Sequence, residues 1–429
     1  MKKVVKKVAL LLIVFGIGVG VTLLYMNNKY KVYEEENPKQ IKKHVDTISM
    51  MLETEANSGN YEMTTRDSWP TEGYIFNTEL SKCENGGELS WDNTTKQVLM
   101  SGNVSDKCYV YFDVYVPPTI ADFCSSGDTL VTCVKNFGDQ GSEISSIYIH
   151  NSSLTNGAGD NSYRYAGASE SVNNYVCFGS DATPCPTDNL YRIIGVFGNN
   201  IKLIKYDYAN SNLLGKDGDY NTSTFSKSDY STYRGELTTV NRYSWNKSTR
   251  NNTWSESNLN KVNLNKNYIA YLNNIDIKWA KKIAETTWKV GGNTYTNILK
   301  TPSVAYQNEI TNAVTTNTTD GTTDYTAKIG LMYVSDYGFA AEPSAWTLTM
   351  GSYINTTVTS TNWMYMGLGD WTISRNAEYS GYAFCVSGGG DVCQNLVNLY
   401  SGCRPSFNLE SSITYVSGDG TQDSPIIIN

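Results

Sequence analysis

Histidine is almost missing from this 429-residue chain, which has two, His44 and His150. Residues 171–429 contain none, so a histidine-based triad or a histidine metal site is excluded there on inventory alone. Charge is scarce as well. Only 18% of residues are charged, 34 basic against 42 acidic, for a net −8. No basic stripe is present, so a nucleic-acid partner has no electrostatic footprint to dock on. No glycine-rich phosphate loop follows a strand and opens a helix; the run from Ser387 to Val392 ("SGGGDV") lacks both the lysine and the helix. No two cysteines stand at the Cys-x-x-Cys spacing of a zinc knuckle. The expectation is therefore no catalytic residues, no cofactor, no metal and no nucleic acid.

Carboxylates remain. Asp336, Glu342, Asp370 and Glu378 could serve glycoside hydrolysis, but spacing in sequence does not fix the separation which that mechanism needs, and solvated or turn-capping roles are the commoner fate of such residues. Trp346, Trp363 and Trp371 read either as a sugar-stacking platform or as core residues with a satisfied N–H. Asp160-Asn161 and Asp217-Gly218-Asp219 could hold calcium in loops, although isolated clusters of that size carry little.

What the chain does have is tyrosine, 32 of them, among tracts of Asn, Ser and Thr. Tyrosine offers stiff contact area with a polar tip, and Ser, Asn and Gly offer adaptable hydrogen bonds; surfaces that bind without catalysis use this mixture. An extracellular β-rich protein with ordinary polar loops would look similar. The chain opens with Lys2, Lys3, Lys6 and Lys7, followed by an uncharged apolar run over residues 8–26. As a helix that run would span about 28 Å, close to the hydrocarbon thickness of a bilayer. Bulky Leu23, Leu24, Tyr25 and Met26 leave no small-residue cleavage site, so residues 1–30 read as an uncleaved signal anchor. The dense lysine cluster places the N-terminus in the cytoplasm and the bulk of a single-pass protein outside the cell membrane.

Nine cysteines fit an oxidising address. Neighbours in sequence suggest Cys83 with Cys108, Cys124 with Cys133, and Cys177 with Cys185, although spacing cannot establish connectivity. Cys385, Cys393 and Cys403 are left, an odd set within one short window.

Along the chain, residues 31–60 read as a stalk, helical after Pro38, with Ile41, Val45, Ile48 and Leu52 at helical spacing. Residues 61–118 form a small β module, with "GELSWD", "KQVLMSG" and "CYVYFDVYV" as strands and paired prolines to end it. Residues 119–170 are a connector, too polar and glycine-rich to build a core. A main domain over 171–429 starts with a hairpin around Gly198-Asn199-Asn200. Next comes a helix capped by Ser255 that presents Ile275, Trp279 and Ile283 on one face and stops at Gly291-Gly292. Lys328 to Val334 reads as a buried strand. The fold class is α+β.

"NNYVCFGSDATPCPTDNLYRIIGVFGNNIKLIKYD", "TWKVGGN", "KIGLMYVSDYGFA", "WTISR" and "GCRPSFNL" resemble, in that order, a group of uncharacterised membrane-anchored surface proteins of gut bacteria. In that group a small module like Cys83 to Phe112 precedes the large domain. Gly402-Cys403-Arg404-Pro405 also resembles the Gly-x-Arg-Pro segment of the C-type-lectin-like fold of the formylglycine-generating-enzyme kind. The catalytic cysteine pattern of that enzyme is absent, as are the calcium-lectin triplets, so neither activity carries over. That fold is used by target proteins of diversity-generating retroelements, whose C-terminal ribbon is rewritten mainly at Asn codons.

The resemblance implies a fixed frame of Ala383, Phe384, Val386, Val392, Val397, Arg404, Pro405 and Phe407. Between these it implies a ligand-binding, variable set: Cys385, Ser387, Gly388, Gly389, Asp391, Cys393, Gln394, Asn395, Leu396, Asn398, Leu399, Tyr400, Ser401 and Cys403. Randomising the first two bases of AAC yields most of these residue types and cannot yield Lys, Met or Trp, which are absent from Asn376 to Leu409. Gln394 departs from the rule, and Glu378 would have to lie outside the rewritten segment. An ordinary glycine-rich loop with Cys385 and Cys393 bridged remains the other reading.

The function expected is cell-surface recognition or adhesion through a ribbon at about 376–403, without catalysis. The partner would be an extracellular protein or glycan, and the membrane would be engaged through the N-terminal helix. A structural cell-envelope protein without a specific ligand, or an extracellular glycan-active enzyme, are the alternatives.

Overall fold

The computed structural model describes residues 48–101, 106–247, 251–312 and 323–429. The chain divides between Pro117 and Pro118 into two compact units. Both are built mainly from short strands in several small sheets, and in the second unit short helices stand between them, an α+β arrangement. Among the described residues no helix is long and apolar enough to cross a membrane. The expected anchor at 1–30 and the stalk up to residue 47 lie outside the described residues.

In the first unit, β1 (Ile48–Glu53) is a strand and not the end of a helical stalk. Ile48, Met50 and Leu52 alternate as well as they recur at helical spacing, and pairing decides the outcome. β1 runs parallel to β7 (Cys108–Val114) and antiparallel to β2 (Tyr61–Met63). With β3 (Tyr74–Phe76) and β4 (Lys82–Cys83) on the other side of β7, these form a five-stranded sheet. The hairpin of β5 (Glu88–Asp92) and β6 (Gln97–Ser101) is separate. Met50, Phe76, Val110 and Phe112 form the core, with Trp69 and Trp91 packed against it. Cys83 and Cys108 face each other across β4 and β7, Cα–Cα 4.0 Å, and are bridged.

The second unit starts at Pro118 and not near Ser171. The segment read as a connector contributes the helix Leu130–Gly138, capped by the Thr129 hydroxyl and tied by the Cys124–Cys133 bridge. Leu130, Val134, Phe137, Ile147 and Tyr165 from this segment join the main core. Leu130, Cys133, Val134 and Phe137 recur at helical spacing, a signal confined to nine residues and masked by the polar, glycine-rich sequence on either side. The central sheet contains β8 (Ile147–Ile149), β9 (Tyr163–Tyr165), β10 (Tyr175–Cys177), β11 (Leu190–Phe197), β12 (Asn200–Lys205), β17 (Ile329–Gly330) and β22 (Ser406–Asn408). β11 and β12 form the expected hairpin. Phe197 pairs with Asn200, so Gly198 and Asn199 are the turn, with Gly198 at φ +63° where a side chain would be strained.

The helical stretch departs from expectation in three ways. A π-wound stretch, Leu259–Tyr268, leads into the helix Ile269–Ile275, and its first free N–H, that of Leu259, is taken by the Asp219 carboxylate and not by Ser255. Asp276 then adopts an extended conformation and caps a second helix, Ile277–Lys281, by accepting from Lys278 N–H at 2.9 Å. Trp279 and Ile283 are buried while Ile275 is exposed, so no continuous face exists. Gly291 and Gly292 follow a strand, β15 (Thr286–Lys289), which pairs with β16 (Asp324–Ala327). The buried segment at 328–334 is a strand only at β17, and its end opens the helix Val334–Phe339.

Candidate functional site

The C-terminal ribbon is a three-stranded sheet of β18 (Asp370–Arg375), β19 (Tyr382–Val386) and β20 (Val392–Leu396). β18 is buried throughout. Cys385 stands opposite Cys393, Cα–Cα 5.0 Å, and the two are bridged. Beyond them the chain turns at Ser387–Asp391. Ser387 N–H donates to Asp391 O at 2.8 Å, and the two side chains are also hydrogen-bonded. Gly390 holds φ +99°, and a Cβ there would meet Thr359 Cγ2 at 2.4 Å, so this glycine is required where its neighbour Gly388 is not. The loop before β19 is pinned from behind: buried Asn252 donates its amide to Asn376 O and Tyr382 O, both at 2.7 Å.

Ala383, Phe384, Val386, Val392, Val397, Arg404, Pro405 and Phe407 are all buried. Of the residues expected to meet a ligand, Asn395 and Leu399 are exposed, Leu399 at 42%. Ser387, Gly388, Gly389, Asp391, Cys393, Gln394, Leu396, Asn398 and Tyr400 are half-buried at the rim. Cys385, Ser401 and Cys403 are buried and present no side chain to a visitor, a correction with three causes. Cys385 faces the core in the middle strand of the sheet. Ser401 is covered where β21 (Tyr400–Ser401) pairs with β14 (Thr239–Ser244). Cys403 is a free thiol in the main core, its pKa raised by burial.

β21 brings to this face residues the sequence did not suggest. The Arg242 guanidinium lies 4.1 Å from the ring centre of Tyr400 and 4.2 Å from that of Phe225. Arg242 also donates to Tyr400 O at 3.0 Å. Tyr230, 38% exposed, packs edge-on against Phe225. The result is a half-exposed Tyr–Arg–Phe stack beside Leu399, supplied by β13 (Tyr220–Ser226), β14 and β21. Residues 242 and 400 are too far apart for any spacing rule to join them; the β-branched and aromatic residues of "TTVNRYS" were the available signal for the strand.

The other candidates are accounted for differently. Trp346, Trp363 and Trp371 are buried, with their N–H groups donated to Ala341 O, Tyr165 O and Tyr243 O, so they form no sugar platform. Asp370 pairs with Arg404 at 2.6 Å, both buried, and burial pushes its carboxyl up to about 6. Asp336 is buried between Lys202 and Arg164 and caps the helix Val334–Phe339. Glu378 accepts from Tyr295 N–H at 2.9 Å. Asp160 pairs with Arg164 at 2.7 Å; burial alone would raise its carboxyl, but Arg164 and Ser162 hold it down at about 2. Asp219 accepts from backbone N–H groups of residues 247 and 259. His150 is buried against Phe339 and Trp346, and burial drives its pKa down to about 2, so it stays neutral. Among the described residues no group of three or more His, Cys, Asp or Glu is placed to hold a metal ion.

No family model, curated protein or solved structure matches the chain.

Proposed function

We propose that the chain is a cell-surface recognition or adhesion protein that binds an extracellular protein or glycan through the β20–β21 edge of its second unit, without catalysis. In this reading the second unit is a C-type-lectin-like domain held outside the membrane by the apolar N-terminal segment. The observation that carries the reading is the division of one short ribbon into two populations. Its apolar frame is buried, while Asn395 and Leu399 are exposed, Gln394 is half-buried, and half-buried Tyr400 carries the Arg242 guanidinium on its ring. A rigid frame under a polar and aromatic rim binds at small entropic cost, since little must be ordered on contact. The buried carboxylates favour this over the glycan-active reading: Asp336 and Asp370 are both engaged in ion pairs. Diversification by a retroelement would act on the rim positions and spare the frame.

The test is a glycan-array and cell-binding screen with the full chain. Once a ligand is found, Leu399→Glu with Asn395→Arg is expected to weaken it at least about tenfold, as at interface centres, with the melting temperature unchanged. Binding that survives this pair would overturn the assignment. Sequencing the locus across one lineage tests diversification separately, and identical codons throughout would remove it.

A further inference from the structure

A second feature lies on other residues of the same unit and does not depend on the recognition face. A cleft of about 360 Å³ opens between β9, β12, β15 and the start of the helix Val334–Phe339. That volume is within the range of small-ligand sites. Its floor carries Lys202 and Arg164, whose side chains are 6% and 2% exposed, with Asp336 shared between them.

An ammonium group has three N–H donors. Asp336 is the one hydrogen-bond partner of the Lys202 ammonium among the described residues. The rest of its surroundings are ring faces, with Tyr333, Trp288 and Phe197 centred 4.4, 5.3 and 5.7 Å away. Arg164 donates to Ser162 and Asp160, but its Nη1 stands 3.6 Å from Asp336, beyond a good hydrogen bond. On the same wall Asn408 gives its amide N–H to Thr286, and its carbonyl oxygen has no partner among the described residues. Buried donors and acceptors left open in this way are costly, and a ligand that fills them relieves the cost.

The charges decide the class of ligand. Lys202 and Arg164 balance Asp160 and Asp336, and at the rim Lys289 is paired with Asp324. A site with no surplus charge does not recruit an ion. It suits a neutral molecule whose hydroxyls both accept and donate, with an apolar ring face to lay against half-buried Phe197; Trp288 is buried, its N–H donated to Ala327 O. We propose that this cleft binds one neutral pyranose ring, its hydroxyls accepting from Lys202 and Arg164 and donating to Asp160 and Asn408.

The experiment is saturation-transfer NMR on the full chain, held in a detergent without a sugar head group. The probes are methyl glucopyranoside, galactopyranoside and mannopyranoside, with glucuronate and benzoate as charged controls. At least one neutral glycoside is expected to saturate. Lys202→Met is expected to weaken it about tenfold, the loss of a charge-assisted hydrogen bond. Because that variant removes a buried charge, Thr287→Trp is the second: it places bulk at the exposed rim and leaves the ion pairs intact. It is expected to abolish the signal at unchanged melting temperature, and to leave binding at the β20–β21 edge untouched. No saturation by any neutral glycoside up to about 100 mM, far weaker than a specific site, would overturn the proposal. So would tighter binding of glucuronate or benzoate, or a signal unchanged in Thr287→Trp.

Discussion

Glu309 is enclosed on all sides, accepting from the backbone N–H groups of Val334 and Ser335 at 3.1 Å and from the Ser374 hydroxyl. Burial outweighs these bonds and lifts its carboxyl from 4.5 to about 7. The folded chain therefore keeps this proton over a range in which the unfolded chain has lost it. The contribution is complete below pH 4.5 and is lost as the pH climbs through about 7. Glu309→Gln has no proton to lose. Between pH 5 and pH 8 its stability, measured by chemical denaturation, is expected to gain on the parent by up to about 3 kcal/mol. A constant difference across that window would show that the carboxyl ionises normally. Asp370 is the opposite case, because its removal strands a partner. Asp370→Asn leaves the buried Arg404 guanidinium without a counter-charge, and a loss of about 3–5 kcal/mol is expected in the same assay.

At the scale of elements, the hairpin of β11 and β12 was legible because its signal is local: two β-branched runs and a turn that needs a glycine. The end of the expected stalk, from Ile48 on, was misread because a short run over Ile48, Met50 and Leu52 fits both periods, and only β7, about sixty residues on, selects the strand. The helix through Ile275 was misread because Asp276 prefers to accept an N–H with its side chain over continuing the turn. Three disulfide pairs were readable from nearness in sequence, and the fourth follows from the opposition of Cys385 and Cys393 across a hairpin. Of the candidate face, the frame could be sorted in advance and the rim apart from Cys385, Ser401 and Cys403, but Arg242, Phe225 and Tyr230 could not, since their contact is made only by the folded β14–β21 pairing. Replacing Cys385 and Cys393 together by Ala opens a short loop. The expected loss is about 2–3 kcal/mol, the chain-entropy value for a closed loop of this size. Calorimetry on the double variant checks it, and a loss below about 1 kcal/mol would mean that pairing with β18 already fixes the hairpin.

For the molecule as a whole, the two units have separate hydrophobic cores, one around Val110 and Phe112 and one around Ile193, Trp245 and Phe407. Cores that share no residues are expected to melt separately. Calorimetry on the full chain should resolve two transitions, and Val110→Ala should lower one of them alone. A single transition that moves as a whole with that variant would show the units to be thermodynamically joined.

The sulfur bridges follow the same division. Cys83–Cys108 closes within the first unit, Cys124–Cys133, Cys177–Cys185 and Cys385–Cys393 close within the second, and Cys403 is unpaired. No covalent strap crosses from one to the other except the main chain at Pro117 and Pro118. A single proteolytic nick there would therefore cut the last covalent bond between the two, with no reductant required, and the larger piece would keep the rim, the cleft and all three of its own bridges.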